Sequence, residues 1–193
     1  MKIREKIINK LDINFEKLST FFNKKRFRKF GKNSRIRYGC ILNNPELIEI
    51  EDNVFIGDHV WLNAGVSINN KDTKLYIKSG SHISRFSHIN AFNKVIIEEN
   101  VLVAENVYLG DTDHETTKKD IAIIKQGNKI KGEVIIKKGS FICRNAVISA
   151  GVTIGEFSIV APNSLVTQKI IPPNSLVFGN PSRIFKRKFK WKY

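Results

Sequence analysis

The sequence predicts an all-β solenoid, in which short strands turn a corner every six residues and wind into stacked triangular coils. Three observations predict it. An aliphatic residue recurs every six positions at Ile136, Ile142, Ile148, Ile154, Val160 and Val166. The fourth residue after each is small or β-branched: Ser140, Ala146, Val152, Ser158, Ser164. The same register returns upstream in three blocks, at Ile50, Ile56, Leu62 and Ile68, at Ile77, Ile83 and Ile89, and at Ile97, Val103 and Leu109. A six-residue period fits neither a helix of 3.6 residues per turn nor a simple alternating strand, and a repeat at fixed spacing is the signature of a stacked architecture. A β-sandwich is the competing fold, but it gives no reason for a constant spacing.

Taken in order, residues 1–34 form a basic helical segment. Ile3, Ile7, Ile8, Leu11, Phe15, Leu18, Phe21 and Phe22 recur at helical spacing with lysines between them, and Gly31 is a plausible stop. An uncovered first coil would expose strand edges, so this helix is expected to cap it; an amphipathic element on a membrane surface is the other reading. The coil domain spans 35–186. A weaker opening coil uses Ile36, Leu42 and Ile48, and Gly57 suits a tight corner. The fourth-position rule fails at Asp72, Asn93, Asp113 and Ile170. These mark a polar excursion at Asn69 to Lys74, a two-residue slip around Asn93 to Ile97, a long polar excursion at 110–133, and the end of the repeat after Val166. A long excursion inside a compact repeat is more often functional than decorative. Residues 187–193 form a basic tail.

The 193 residues suit one domain. The chain holds no apolar stretch long enough to span a bilayer and no secretory signal, which predicts a cytoplasmic protein. Cys40 and Cys143 read as reduced, packed residues, neither a disulfide nor a metal site. The formal charge is +15, yet residues 1–37 hold thirteen Lys/Arg against three Asp/Glu, and 183–193 hold six against none. The body is near neutral and the charge lies at the two ends. Nucleic acid, a membrane surface, an anionic lipid-linked substrate and plain Lys-rich composition are the readings of such ends.

Of the four histidines, His59, His82 and His88 sit within coil hexads and are expected on the surface. His114 opens the long excursion amid Asp111, Asp113 and Glu115. A carboxylate beside an imidazole can fix its tautomer and raise its basicity, as a general base requires. No G-x-S-x-G string is present, which weakens a serine-based covalent route.

The hexad pattern, together with AFNKVIIEENVLVAENVYLGDTDH and TQKIIPPNSLVFGNPSRIFK, resembles the hexapeptide-repeat acyltransferases, in particular the sugar and lipopolysaccharide O-acetyltransferases. The resemblance runs from about Arg35 to Lys186. It implies a left-handed parallel β-helix, acetyl-CoA as cosubstrate, no metal, and a homotrimer with active sites between subunits. It places His114 as the general base of a direct transfer to a sugar or glycan hydroxyl, with Asp111 and Asp113 in the catalytic turn. It assigns Thr167, Lys169, Arg183 and Lys186 to coenzyme A phosphates, chemistry that suits Lys and Arg donors. Arg144, Ser149 and Ala150 also go to the donor, and Asn90 to the acceptor by position. A backbone N–H at a coil corner would stabilise the oxyanion. Glu98 and Glu99 stand where relatives carry Gly-Asp, Phe141 for Trp, and Cys143 for Gly, departures that touch the donor channel and leave the histidine in place. The implied setting is the cytoplasm, at the inner face of the membrane if the basic ends touch lipid, with no nucleic-acid partner. N-acetylation of a nucleotide-linked amino sugar, a γ-carbonic-anhydrase-like zinc protein and a non-enzymatic scaffold are the alternatives.

Overall fold

The computed structural model describes residues 2–65, 72 and 74–186, with side chains from residue 11 onward. The expected excursion at Asn69 to Lys74 falls largely outside the described residues. So do the sixth-position Ile68, the side chains of Ile3, Ile7 and Ile8, and the basic tail 187–193.

Among the described residues the chain visits three sheets in rotation. The first has seven strands, from Lys29–Phe30 to Ile170–Ile171, and the second eight, from Arg35–Ile36 to Ser182–Lys186. The third has six, from Ile41–Asn43 to Leu165–Val166. Neighbouring strands within each sheet pair in parallel, so Ile97 lies beside Ile136 and Val103 beside Ile142. The last pair of the second sheet is antiparallel, with Arg183 opposite Phe178.

The hexad register sets the interior. Ile50, Ile56, Leu62, Ile77, Ile83, Ile89, Ile97, Val103, Leu109 and the run Ile136 to Val166 form one continuous buried column. The fourth-position serines are buried for a second reason. Ser140 Oγ donates to the Gly155 carbonyl at 2.9 Å, and Ser87 Oγ donates to the Ala104 carbonyl at 2.9 Å while accepting from the Val107 N–H. Each hydroxyl ties one coil to the next at a corner, and so satisfies backbone groups that burial would leave unpaired. The corners adopt left-handed backbone. Asn53, Asn100, Asn106, Asn145, Asn163 and Asn174 all have φ between 49° and 61°, the conformation that Asn tolerates best among non-glycine residues. Asn145 Nδ2 donates to Asn163 Oδ1 at 3.0 Å, and Asn106 Nδ2 to Asn145 Oδ1 at 2.9 Å, so the corners stack as an amide ladder.

Two expectations change. The repeat does not stop at Val166: Ile171 and Val177 continue the buried column for another coil. The corner at Thr167–Lys169 is one residue short, which turns Ile170 outward at 74% exposure and Ile171 inward. Of the three hexad histidines, His59 is exposed as expected, while His82 and His88 are half-buried rather than loose on the surface. His88 stacks on Trp61 with ring centroids 4.2 Å apart and meets Tyr108 edge-on, and His82 packs on Phe55 at 4.5 Å. Burial pushes the pKa of both His82 and His88 below the usual histidine value.

The N-terminal helix α1, Lys2–Asn23, lies against the open edge strand Arg35–Ile36. Thr20 Oγ1 accepts the Ile36 N–H at 3.0 Å and donates to the Ile36 carbonyl, while Ser19 Oγ donates to the Arg37 carbonyl. Edge groups that would template another strand are thereby occupied. No helix among the described residues is long and apolar enough to cross a membrane.

Candidate active site

The excursion at 110–133 is a tethered hairpin. Thr112–His114 pairs antiparallel with Asn128–Ile130, with His114 opposite Asn128. Its root is fixed by Asp111, which is fully buried. One carboxylate oxygen accepts the Phe92 N–H at 2.9 Å, and the other accepts the Asn93 and Lys94 N–H groups at 2.7 and 2.6 Å. Three charge-assisted bonds lock the corner of one coil to the turn of the preceding coil. The Asp111 carbonyl then accepts the Lys131 N–H at 3.0 Å, and Thr112 Oγ1 donates to the Lys129 carbonyl, closing the neck.

Asp113 follows on the same strand and is exposed. Its carboxylate accepts the His114 backbone N–H at 2.8 Å and meets Lys131 Nζ at 3.0 Å. The Lys131 ammonium, with that backbone bond second, holds its pKa below the usual carboxylate range. The expected pairing of a carboxylate with the His114 ring is therefore not made within the described chain. Asp111 is spent on backbone donors, Asp113 on a backbone donor and a lysine, and Glu115 on the Thr116 and Thr117 N–H groups and Lys129. The ring is exposed at the end of its strand.

Beside the hairpin lies a cleft of ≈ 430 Å³, lined by Tyr108, Gly110, Thr112, Asp113, Lys131, Val147, Ser149 and Ala150. It brings together Asp113 of the excursion and Ser149 and Ala150 of the expected donor set. Ser149 is stacked on the next coil through its N–H to the Val166 carbonyl at 3.0 Å, directly before Thr167. Among the described residues no carbonyl accepts the Ala150 N–H. Asn90 pairs with Gly110 across the third sheet and its carbonyl accepts the Asp111 N–H, so it borders the same corner.

Other expected donor residues lie elsewhere on the coil. Arg144 precedes strand Val147–Ile148, Ser149 follows it, and Arg144 faces Glu105 at 3.6 Å. Thr167 and Lys169 flank Gln168, whose amide nitrogen donates to the Ser182 carbonyl at 2.5 Å and whose amide oxygen accepts the Ser182 hydroxyl at 2.8 Å. This tie brings Arg183, the next residue, to their corner. Lys186, opposite Ser175, sits at the far end of the same strand. Sequence reasoning missed Lys131, Tyr108 and Gln168. Lys131 carried a signal, since its place at the return of the excursion sets it opposite Asp113.

No protein-family model matches the chain. The dTDP-3-amino-3,6-dideoxy-alpha-D-galactopyranose 3-N-acetyltransferase of Aneurinibacillus thermoaerophilus is 49% identical over 53 residues, 28% of this chain and 27% of that protein. The likeness thus spans about a quarter of that curated relative's length. Among solved structures, the hexapeptide-repeat-containing acetyltransferase VCA0836 of Vibrio cholerae, complexed with acetyl coenzyme A, matches 86% of this chain and 75% of its own at a TM-score of 0.59 and 24% identity. The chain has the fold of the hexapeptide-repeat acetyltransferases. A galactoside acetyltransferase in complex with coenzyme A matches likewise, at TM-score 0.61 and 24% identity over 86% of this chain and 68% of that one. In this hexapeptide-repeat fold, the rotation through three sheets is what carries the 110–133 hairpin out at a corner. Among the described residues, no three metal-ligating side chains come together.

Proposed function

We propose that the protein is an acetyl-CoA-dependent acetyltransferase acting on a sugar, with His114 as general base. The observation that carries this reading is the position of the His114 hairpin, rooted by Asp111 beside the cleft that Ser149 and Ala150 line. The relatives support the class: one is a nucleotide-sugar N-acetyltransferase, and solved neighbours hold acetyl-CoA or coenzyme A.

The imidazole takes the proton from an acceptor hydroxyl as the oxygen attacks the thioester carbonyl carbon. The Ala150 N–H stabilises the resulting oxyanion. The tetrahedral intermediate collapses, the C–S bond breaks, and the coenzyme A thiolate leaves with the proton held by the imidazole. A thioester is already activated, so no acyl-enzyme is needed. Thr167, Lys169, Arg183, Lys186 and Arg144 supply donors for coenzyme A phosphates, and Asn90 a hydrogen bond to the acceptor. Since His114 is exposed and no described residue pairs with its ring, we further infer a homotrimer in which a second subunit walls the site. The coil is left-handed in this reading, and the reaction is placed in the cytoplasm. N-acetylation of a nucleotide-linked amino sugar uses the same base and donor, and the named relative favours it as the second reading.

The test is thiol release from acetyl-CoA with a panel of glycosides and dTDP-amino sugars. Acceptor-dependent release by the native protein, reduced about a hundred- to ten-thousandfold in His114→Ala, supports the proposal. Equal rates in the two proteins refute His114 as the base.

A further inference from the structure

Helix α1 is amphipathic the wrong way round for a helix that only caps. A surface helix normally turns its apolar stripe to the core. Here the side chains that meet the coil are polar: Glu16, Ser19 and Thr20, through Arg35, Arg37 and the backbone of Ile36. The apolar residues Leu11, Phe15, Leu18 and Phe22, spaced four, three and four apart, form one stripe and remain 50%, 56%, 51% and 66% exposed. Four large side chains left in water on a single helix face mark a surface that something covers.

The charge around the stripe identifies the cover. From Lys17 to Pro45 the sequence holds nine Lys/Arg and no Asp/Glu. Lys17 and Lys24 sit on one flank of the helix, both exposed, and Lys24 Nζ lies 5.6 Å from the centre of the Phe21 ring. The helix is followed at once by Lys24, Lys25 and Arg26 in a short 3-10 turn with no buried residue. An apolar stripe on a helix that carries exposed Lys17 and runs into exposed Lys24, Lys25 and Arg26 is complementary to a surface that offers hydrocarbon beneath anionic headgroups. A second copy of this chain would bring an equal block of positive charge against the first, which opposes pairing.

We propose that α1 has two faces with two roles: its polar face caps the first coil, and its Leu11–Phe22 stripe binds the surface of an anionic phospholipid bilayer. The coil stack would then stand on the membrane by its N-terminal end. This does not depend on the transfer reaction.

The full-length protein would be sedimented with phosphatidylcholine vesicles and with vesicles of phosphatidylcholine mixed with phosphatidylglycerol. The expected result is co-sedimentation with the anionic vesicles alone, weakened by salt. Lys24→Gln with Lys25→Gln lowers the partition by roughly an order of magnitude. Leu18→Glu with Phe22→Glu abolishes it and leaves far-UV circular dichroism and acetyl-CoA binding as in the native chain. No binding to anionic vesicles overturns the proposal. So does a native protein that ignores vesicles but loses its oligomeric state, by light scattering, when Leu18 and Phe22 are changed; the stripe would then be a contact between copies.

Discussion

Lys131 Nζ stands 3.0 Å from Asp113 Oδ2 at the neck of the hairpin whose first strand ends in His114. Both side chains are exposed, so as an ion pair this contact contributes little to global stability. Its effect is local, because Asp113 also holds the His114 N–H. Lys131→Met should shift the unfolding free energy by less than about 0.5 kcal/mol while lowering kcat by roughly tenfold through loss of alignment. Chemical denaturation and steady-state kinetics on one preparation separate the two effects.

Asp111 is expected to behave in the opposite way. Replacing it with Asn leaves a buried amide facing three N–H donors it cannot fully satisfy. The cost should be on the order of 2–3 kcal/mol, read in urea, with activity lost alongside the hairpin's anchorage. An Asp111→Asn protein of native stability would show that the carboxylate does not anchor the excursion.

The two half-buried histidines give the fold a pH dependence of known sign. Burial depresses the folded-state pKa of His82 and His88 below the ordinary 6.5. The unfolded chain therefore binds more protons near and below that pH, and stability rises with pH through this window. It is fully present above about pH 6.5 and declines as pH falls below it. His88→Phe, which keeps a ring on Trp61, should flatten the profile. Melting temperatures between mildly acidic and neutral pH measure both.

Burial also silences the thiols. Cys40 donates to the Gly57 carbonyl at 3.1 Å and its pKa is pushed up to about 11; Cys143 is buried and shifted the same way. Reactivity follows the thiolate, so neither should react with a disulfide reagent at mildly alkaline pH until the protein is unfolded.

Asn145 tests the corner ladder. It combines left-handed backbone, φ 59°, with amide bonds to Asn106 and Asn163. Asn145→Ala should cost roughly 1–2 kcal/mol for the backbone alone, and Asn145→Gly clearly less, since glycine adopts that conformation freely.

These residues also show what could be read in the chain. The inward column was legible because every sixth aliphatic side chain faces the same interior, and it survives every excursion. The place of the hairpin was legible because the register stops at Leu109 and resumes at Ile136. The coil after Val166 was not, because one missing corner residue moves the inward position from Ile170 to Ile171. Asp111 read as part of a catalytic turn, since its partners Phe92 to Lys94 appear in sequence only as a two-residue slip. The orientation of α1 was hidden as well: periodicity marks an apolar stripe but not which way it turns, and that was settled by Thr20 and Ser19 bonding the edge strand.

In the proposed reaction His114 performs chemistry beside a donor site built into the coil. Calorimetric titration of acetyl-CoA into the native protein and into His114→Ala tests it without knowledge of the acceptor. Equal, saturable binding by both proteins is the predicted result, as expected if His114 serves the chemical step and not donor binding. Absence of binding to a folded native protein would contradict the account at its base.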